Sequence, residues 1–205
     1  CDFSDADLTA TVLAQSNLSK ARMKGVYLTK AGMIGVNAEE VFAERADITE
    51  ARLNEARFVK AKLAGTRFDG SDLTNANFFE ADLEECKFEK AIMNGTILAA
   101  GTAQRSNFTS ADASNADMRK TDLTESDFHS AKLDGADLSG AVLVGVSLSG
   151  VSLNSTKFVG ADLSKADLAW AIINDSDFTG VKLAGTRFKG AQLSNVKGLK
   201  FKKKA

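Results

Sequence analysis

The side chains able to do chemistry are few in this chain. His129 is the only histidine, and the only cysteines are Cys1 and Cys86. A histidine serves as a general base when a hydroxyl or thiol lies within hydrogen-bond reach. No Cys or Ser near His129 has a spacing that suggests a nucleophile. Asp112, Asp117, Asp122 and Asp127 form a run of carboxylates that would suit a divalent cation if all four converged. The glycines keep the same five-residue frame and do not lie between a strand and a helix, so no phosphate-cradling loop is predicted. Whether the carboxylates converge depends on how the backbone repeats every five residues.

Cut into fives from Cys1, the chain reads CDFSD ADLTA TVLAQ SNLSK and continues without a slip to VKLAG TRFKG AQLSN. Of the 39 blocks ending at Asn195, 35 have Phe, Leu, Met or Ile at the third position; the others have Ala38, Ala43, Ala103 and Ala113. The first position is always Ala, Ser, Thr, Val, Cys or Gly, and the other three are mostly polar. A period of five matches neither the 3.6 of a helix nor the 2 of a strand. It suits a chain that turns a corner in every block, with the first and third side chains inside and the rest outside.

The blocks ADLTA, ADLSG, ADLSK and ANFFE carry the A(D/N)LxX motif. On these the chain resembles the pentapeptide-repeat family from Cys1 to Asn195. The resemblance implies an all-β, right-handed quadrilateral parallel β-helix with four blocks to a 20-residue coil. The blocks would then give about ten coils and a rod roughly 45 Å long at strand spacing.

Two features within the sequence support the 20-residue coil. Phe68, Phe88, Phe108, Phe128 and Phe188 fall in one predicted core column, and Phe58, Phe78, Phe158 and Phe178 in the opposite one. At the outward second position, nine pairs 20 apart have opposite charge: Asp2/Arg22, Asp47/Arg67, Arg52/Asp72, Lys62/Asp82, Asp112/Lys132, Asp137/Lys157, Lys157/Asp177, Asp162/Lys182 and Asp167/Arg187. Only Arg67/Lys87 and Asp117/Asp137 are alike, and opposite charges favour stacked strands. Asp112, Asp117, Asp122 and Asp127 then point from four successive sides, and His129 faces water. The reading is therefore of a non-enzyme with no catalytic residue, metal site or cofactor. Both cysteines are read as small core residues about four coils apart, too far for a disulfide.

Residues 36–45 and the blocks 101–105 and 111–115 lack large centres, so cavities or bulges are expected there, the first as an outward loop of two blocks. The repeat domain spans 1–195. Residues 196–205 form a C-terminal cap and basic tail, with Leu199 and Phe201 expected over the open end and Lys202, Lys203 and Lys204 in water. With 26 Lys and Arg against 27 Asp and Glu, nothing draws the whole chain to nucleic acid or to an anionic membrane. No apolar run approaches the roughly 20 residues of a membrane helix, so the chain is expected to be soluble. Its start at Cys1 without Met leaves the compartment open. The resemblance suggests a cyanobacterial or plastid setting, the thylakoid lumen included, or bacterial cytoplasm.

Outward apolar residues mark the expected contact surfaces. Val59, Phe79 and Ala99 stack 20 apart, with Ile97 beside Ala99. Trp170 lies at a block end between Gly150 and Gly190, its ring uncovered, with Ile172 round the corner. Val142 and Val144 form a third group. The function expected is a protein-interaction or structural module with an unidentified protein partner, and self-association through the rod ends or edges is a further expectation. The family also implies two alternatives: a DNA-mimicking inhibitor or protector of a type II topoisomerase, and the repeat region of a secreted effector. DNA mimicry needs a strongly acidic side, which the Lys and Arg in the charge columns argue against.

Overall fold

A computed structural model describes residues 1–199. Every first- and third-position side chain from Ala21 through Phe178 is buried, while the other three positions are mostly exposed or half-buried. Second-position residues pair in parallel with the residue 20 later, from Asp2 with Arg22 to Asp177 with Lys197. Four blocks therefore close one coil. The ladder widens to short strands at β1 (Ile172–Asn174) and β2 (Gln192–Ser194), which pair in parallel with Ile172 opposite Gln192.

Three backbone bonds join a block to its neighbour in the next coil. Phe3 and Asp5 N–H donate to the Arg22 and Lys24 carbonyls, at 2.7 and 2.9 Å, and Arg22 N–H donates to the Cys1 carbonyl at 3.0 Å. A fourth bond closes each corner, as from Ala6 N–H to the Phe3 carbonyl at 3.1 Å. At these corners all 39 fifth-position residues through Asn195 have positive φ, and 26 of them are not glycine. One central residue with positive φ is the type II turn pattern. A non-glycine residue in this left-handed region costs about 1–2 kcal/mol, so the ladder must offset that cost at most corners.

The second position explains itself in the same way. The fourth-position N–H lies outside the ladder, and an Asp or Asn two residues earlier can accept its hydrogen bond. All seventeen Asp and Asn residues at second positions do so, among them Asp7 to Thr9 at 3.0 Å and Asp127 to His129 at 2.9 Å. Polar first positions are equally served. The hydroxyls of Thr66 and Ser106 donate to the Ala43 and Leu83 carbonyls one coil below, both at 2.7 Å.

The predicted ring columns form. Phe68, Phe88, Phe108 and Phe128 stack with centroids 5.1, 4.8 and 4.4 Å apart and planes within 6° of parallel. Phe58 and Phe78 stack at 4.9 Å on the opposite side, and Phe158 lies 4.7 Å from Phe178. The columns meet edge-on, with Phe68 5.7 Å from Phe78. Phe188 is only half-buried because it lies near the end of the rod.

Four expectations need correction. Residues 36–45 do not bulge. Ala38 and Glu40 N–H keep their ladder bonds to Arg57 and Val59, Asn37 caps Glu39, and Glu39 pairs with Arg57. The ladder is made by backbone, so a small centre does not break it. The blocks at 101–105 and 111–115 also stay in register, through Ala103 to Asp122 and Ala113 to Lys132. Cys1, read as a core residue, is exposed at the start of the first coil; Cys86 is buried as expected. Near the other end the frame departs at Gly198. A Cβ there would lie 2.4 Å from the Phe178 carbonyl carbon, so only glycine allows this approach. Leu199 packs against the core, whereas Phe201 and Lys202 to Lys204 lie outside the described residues.

Candidate interaction surfaces

The residues with chemical potential are held apart. Asp112, Asp117, Asp122 and Asp127 each cap the fourth-position N–H of their own block, on four successive sides. Among the described residues no three His, Cys, Asp or Glu side chains are grouped to hold a metal ion. His129 is exposed, and its backbone N–H donates to the Asp127 carboxylate at 2.9 Å. Burial pushes the Cys86 thiol well above its ordinary range, and its sulfur lies 3.1 Å from the Leu63 carbonyl. A buried, protonated thiol is a poor nucleophile.

The electrostatics of the sides come from short ladders. Of the nine predicted pairs, six form ion pairs, including Asp2 with Arg22 at 3.4 Å and Asp162 with Lys182 at 3.2 Å. Arg52/Asp72, Asp137/Lys157 and Lys157/Asp177 show no such contact; Asp177 pairs instead with Lys197 at 2.9 Å. The like-charged Asp117 is met from its own block by Arg119, at 2.6 Å. A second set at the corners escaped the sequence reading: Lys20 with Glu40, Lys30 with Glu50 and Lys60 with Glu80, at 3.7, 3.5 and 3.5 Å. Fifth-position residues 20 apart would have revealed it. Hydrogen bonds to the charged form hold several carboxyls below their ordinary range. The Thr179 side chain and Lys197 bring Asp177 down to about 2, and Arg119 lowers Asp117.

The apolar outward residues are unequal. Trp170 is 63% exposed, and its ring lies against the next coil, where a Cβ on Gly190 would come within 2.4 Å of it. The ring is therefore backed by a glycine on one face and open on the other, not wholly uncovered. Ile172, Phe79 and Val142 are each 38% exposed. Val59, Ile97 and Val144 are half-buried. Ala99 is buried, which removes it as a contact residue; its methyl lies in the column between Phe79 and Arg119. The reading missed Val12, Tyr27, Phe42, Ile92 and Val159, all exposed at second or fourth positions. Phe42 lines a shallow groove of about 400 Å³ with Ser4, Lys20, Arg22, Lys24 and Glu44.

A stack of identical corners, a continuous apolar interior and side chains displayed on flat sides define a repeat solenoid. Family models for pentapeptide repeats match residues 1–37, 56–95 and 161–197, and one for a pentapeptide repeat region matches 81–158. The chain belongs to the pentapeptide repeat family. No protein of curated function matches it. Among solved structures it is similar to HetL, a pentapeptide repeat protein involved in heterocyst differentiation regulation from the cyanobacterium Nostoc sp. strain PCC 7120. Identity is 26%, over 93% of this chain and 86% of that one, with a TM-score of 0.58. It is also similar to Rfr23 from the cyanobacterium Cyanothece 51142, at 27% identity over 47% and 63% of the two chains with a TM-score of 0.40. QnrB1, a plasmid-mediated fluoroquinolone resistance protein, is 19% identical over 90% of each chain, with a TM-score of 0.46. No helix among the described residues is long and apolar enough to cross a membrane.

Proposed function

We propose that the chain is a non-enzymatic interaction module: a right-handed rod of about ten coils over residues 1–195 that presents its flat sides to a protein partner. The observation that carries this reading is Trp170, a large aromatic ring held 63% exposed at a corner that costs backbone strain. Nothing in the fold needs it there, and tryptophan is a frequent anchor of protein interfaces. Ile172 lies round the same corner. Phe79 with Val59 and Ile97, and Val142 with Val144, are the secondary contacts. The regulatory role stated for HetL agrees with action through binding. Each of the four sides carries both signs of charge, so DNA mimicry is not proposed.

The test is capture of a protein by the immobilised chain from an extract of its source cells. The expected result is saturable retention, displaced by free chain, that weakens in Trp170→Ala and Phe79→Asp while both variants melt like the parent. Retention unchanged by both substitutions would remove these surfaces from the reading.

A further inference from the structure

Phe42 stands at the centre of a grid of nine outward residues on one side of the rod and its corner. Lys20, Arg22 and Lys24 lie one coil before it, Glu40 and Glu44 on either side of it in the chain, and Lys60, Lys62 and Ala64 one coil after. Five cations thus surround the ring against two carboxylates, on a chain whose net charge is -1. The ring is 47% exposed while its backbone is fixed: Phe42 N–H donates to the Ala21 carbonyl at 3.0 Å, and the Phe42 carbonyl accepts from Met23 at 2.7 Å. Phenylalanine here also forgoes the cap on the fourth-position N–H that Asp47 and Asp72 make from the same position of their blocks. An exposed ring and a missing cap are two local costs that the ladder does not require. Toward Arg22 the ring borders the groove of about 400 Å³, which Lys20, Arg22 and Lys24 also line. These cations can take another partner. The side chains of Lys20, Arg22, Lys60 and Lys62 are 69%, 74%, 58% and 53% exposed and meet Glu40, Asp2, Glu80 and Asp82 at 3.4–3.8 Å; such exposed pairs contribute little. Among the described residues Lys24 makes no ion pair.

We infer that this grid binds a short acidic segment of a protein, with an apolar side chain laid on Phe42 and carboxylates on the cations around it. Complementary charge selects an anionic occupant and steers its approach. The size of the grid selects a short one. Its outer coils are about 10 Å apart, and beyond Lys60 and Lys62 the next coil presents Glu80, Asp82 and Glu84. A nucleic-acid strand or an anionic membrane would run past the cations onto those carboxylates. An extended peptide rises about 3.3 Å per residue, so acidic side chains two residues to either side of the apolar one come within reach of Arg22 and Lys62, each one coil from Phe42. The surface is separate from Trp170 and Phe79, and its failure would leave those contacts as they stand.

The test is a titration of the isotope-labelled full chain with the blocked peptide EELEE at low salt, followed by amide chemical shifts. Saturable shifts are expected at Arg22, Lys24, Phe42, Glu44 and Lys62, weakened by high salt. The peptide EESEE should bind about tenfold more weakly, the change that the lost apolar contact is worth, and KKLKK should not bind there. Phe42→Asn should melt no lower than the parent, because asparagine can restore the cap on Glu44, yet bind EELEE about tenfold more weakly. Lys24→Gln/Lys62→Gln should also weaken binding, while Trp170→Ala and Phe79→Asp should bind EELEE like the parent. The inference is overturned if EELEE shifts none of these amides, if its shifts spread over all four sides, or if Phe42→Asn binds it unchanged. A lower melting temperature for Phe42→Asn would give the ring a structural role and count against it equally. Retention by an oligo-dT strand or by phosphatidylserine vesicles, where EELEE fails, would assign the grid to nucleic acid or to a membrane instead.

Discussion

Asp177 shows how much an outward carboxylate can depend on its own turn. The Thr179 side chain and N–H and the Lys197 ammonium all favour its charged form, and its pKa falls from 3.8 to about 2. Asp2, Asp7 and Asp162 are shifted in the same direction, first through Ser4, Thr9 and Ser164. A folded pKa below the unfolded one gives stability that is present above the unfolded value and lost as pH falls through the folded one. The melting temperature should therefore hold down to about pH 4 and drop between there and about pH 2. Asp177→Asn should flatten that drop, seen as melting temperature against pH. The neutral role of these residues is separable. Asp122→Ala removes the cap on Thr124 and should cost about 1 kcal/mol, whereas Asp122→Asn keeps the acceptor and should cost less, both by denaturant unfolding. A thiol reagent should label Cys1 alone in the native chain and Cys86 only after unfolding.

At the scale of the coil, stability comes from the ring columns and the corners, and each can be probed alone. Phe108 lies between Phe88 and Phe128, at 4.8 and 4.4 Å. Phe108→Ala should cost about 3–5 kcal/mol in denaturant unfolding, and Phe108→Leu much less because Leu fills this column elsewhere. Gly160 and Gly190 separate backbone strain from packing. A Cβ at Gly160 meets nothing within 4 Å, so Gly160→Ala should cost about 1–2 kcal/mol from positive φ alone. Gly190→Ala should cost more and displace the Trp170 ring. Much of this element was legible in the sequence, because the inward residues recur every five positions and the Phe columns every 20. Residues 36–45 were misread because large centres seemed necessary for the ladder, when backbone bonds alone carry it through Ala38 and Ala43. Of the surface residues, Trp170, Ile172, Phe79 and Val142 were found as outward apolar types. Ala99 was not recognised as buried, since fractional exposure at a fourth position depends on the side chains above and below it in the column. Phe42 and Tyr27 are outward aromatic residues at second positions, where the residues 20 away on either side are charged, Arg22 and Lys62 for Phe42 and Asp7 and Asp47 for Tyr27.

The whole molecule is a rod in which each coil touches only its neighbours, so a surface on one coil can change without disturbing a distant one. That is why Phe79 and Trp170, well apart along the rod, can be altered separately, and why either variant should leave the far coils intact. It also makes the proposed function a matter of which outward side chains are left bare, since the interior is the same from coil to coil. Trp170 is the only tryptophan in the chain, so its emission reports on that one corner. The free protein should show the emission of a water-exposed indole. Titration with the protein captured in the retention experiment should shift that emission to the blue and saturate with the binding curve. Binding that saturates by an independent measure while the Trp170 emission stays that of an exposed ring would contradict the account.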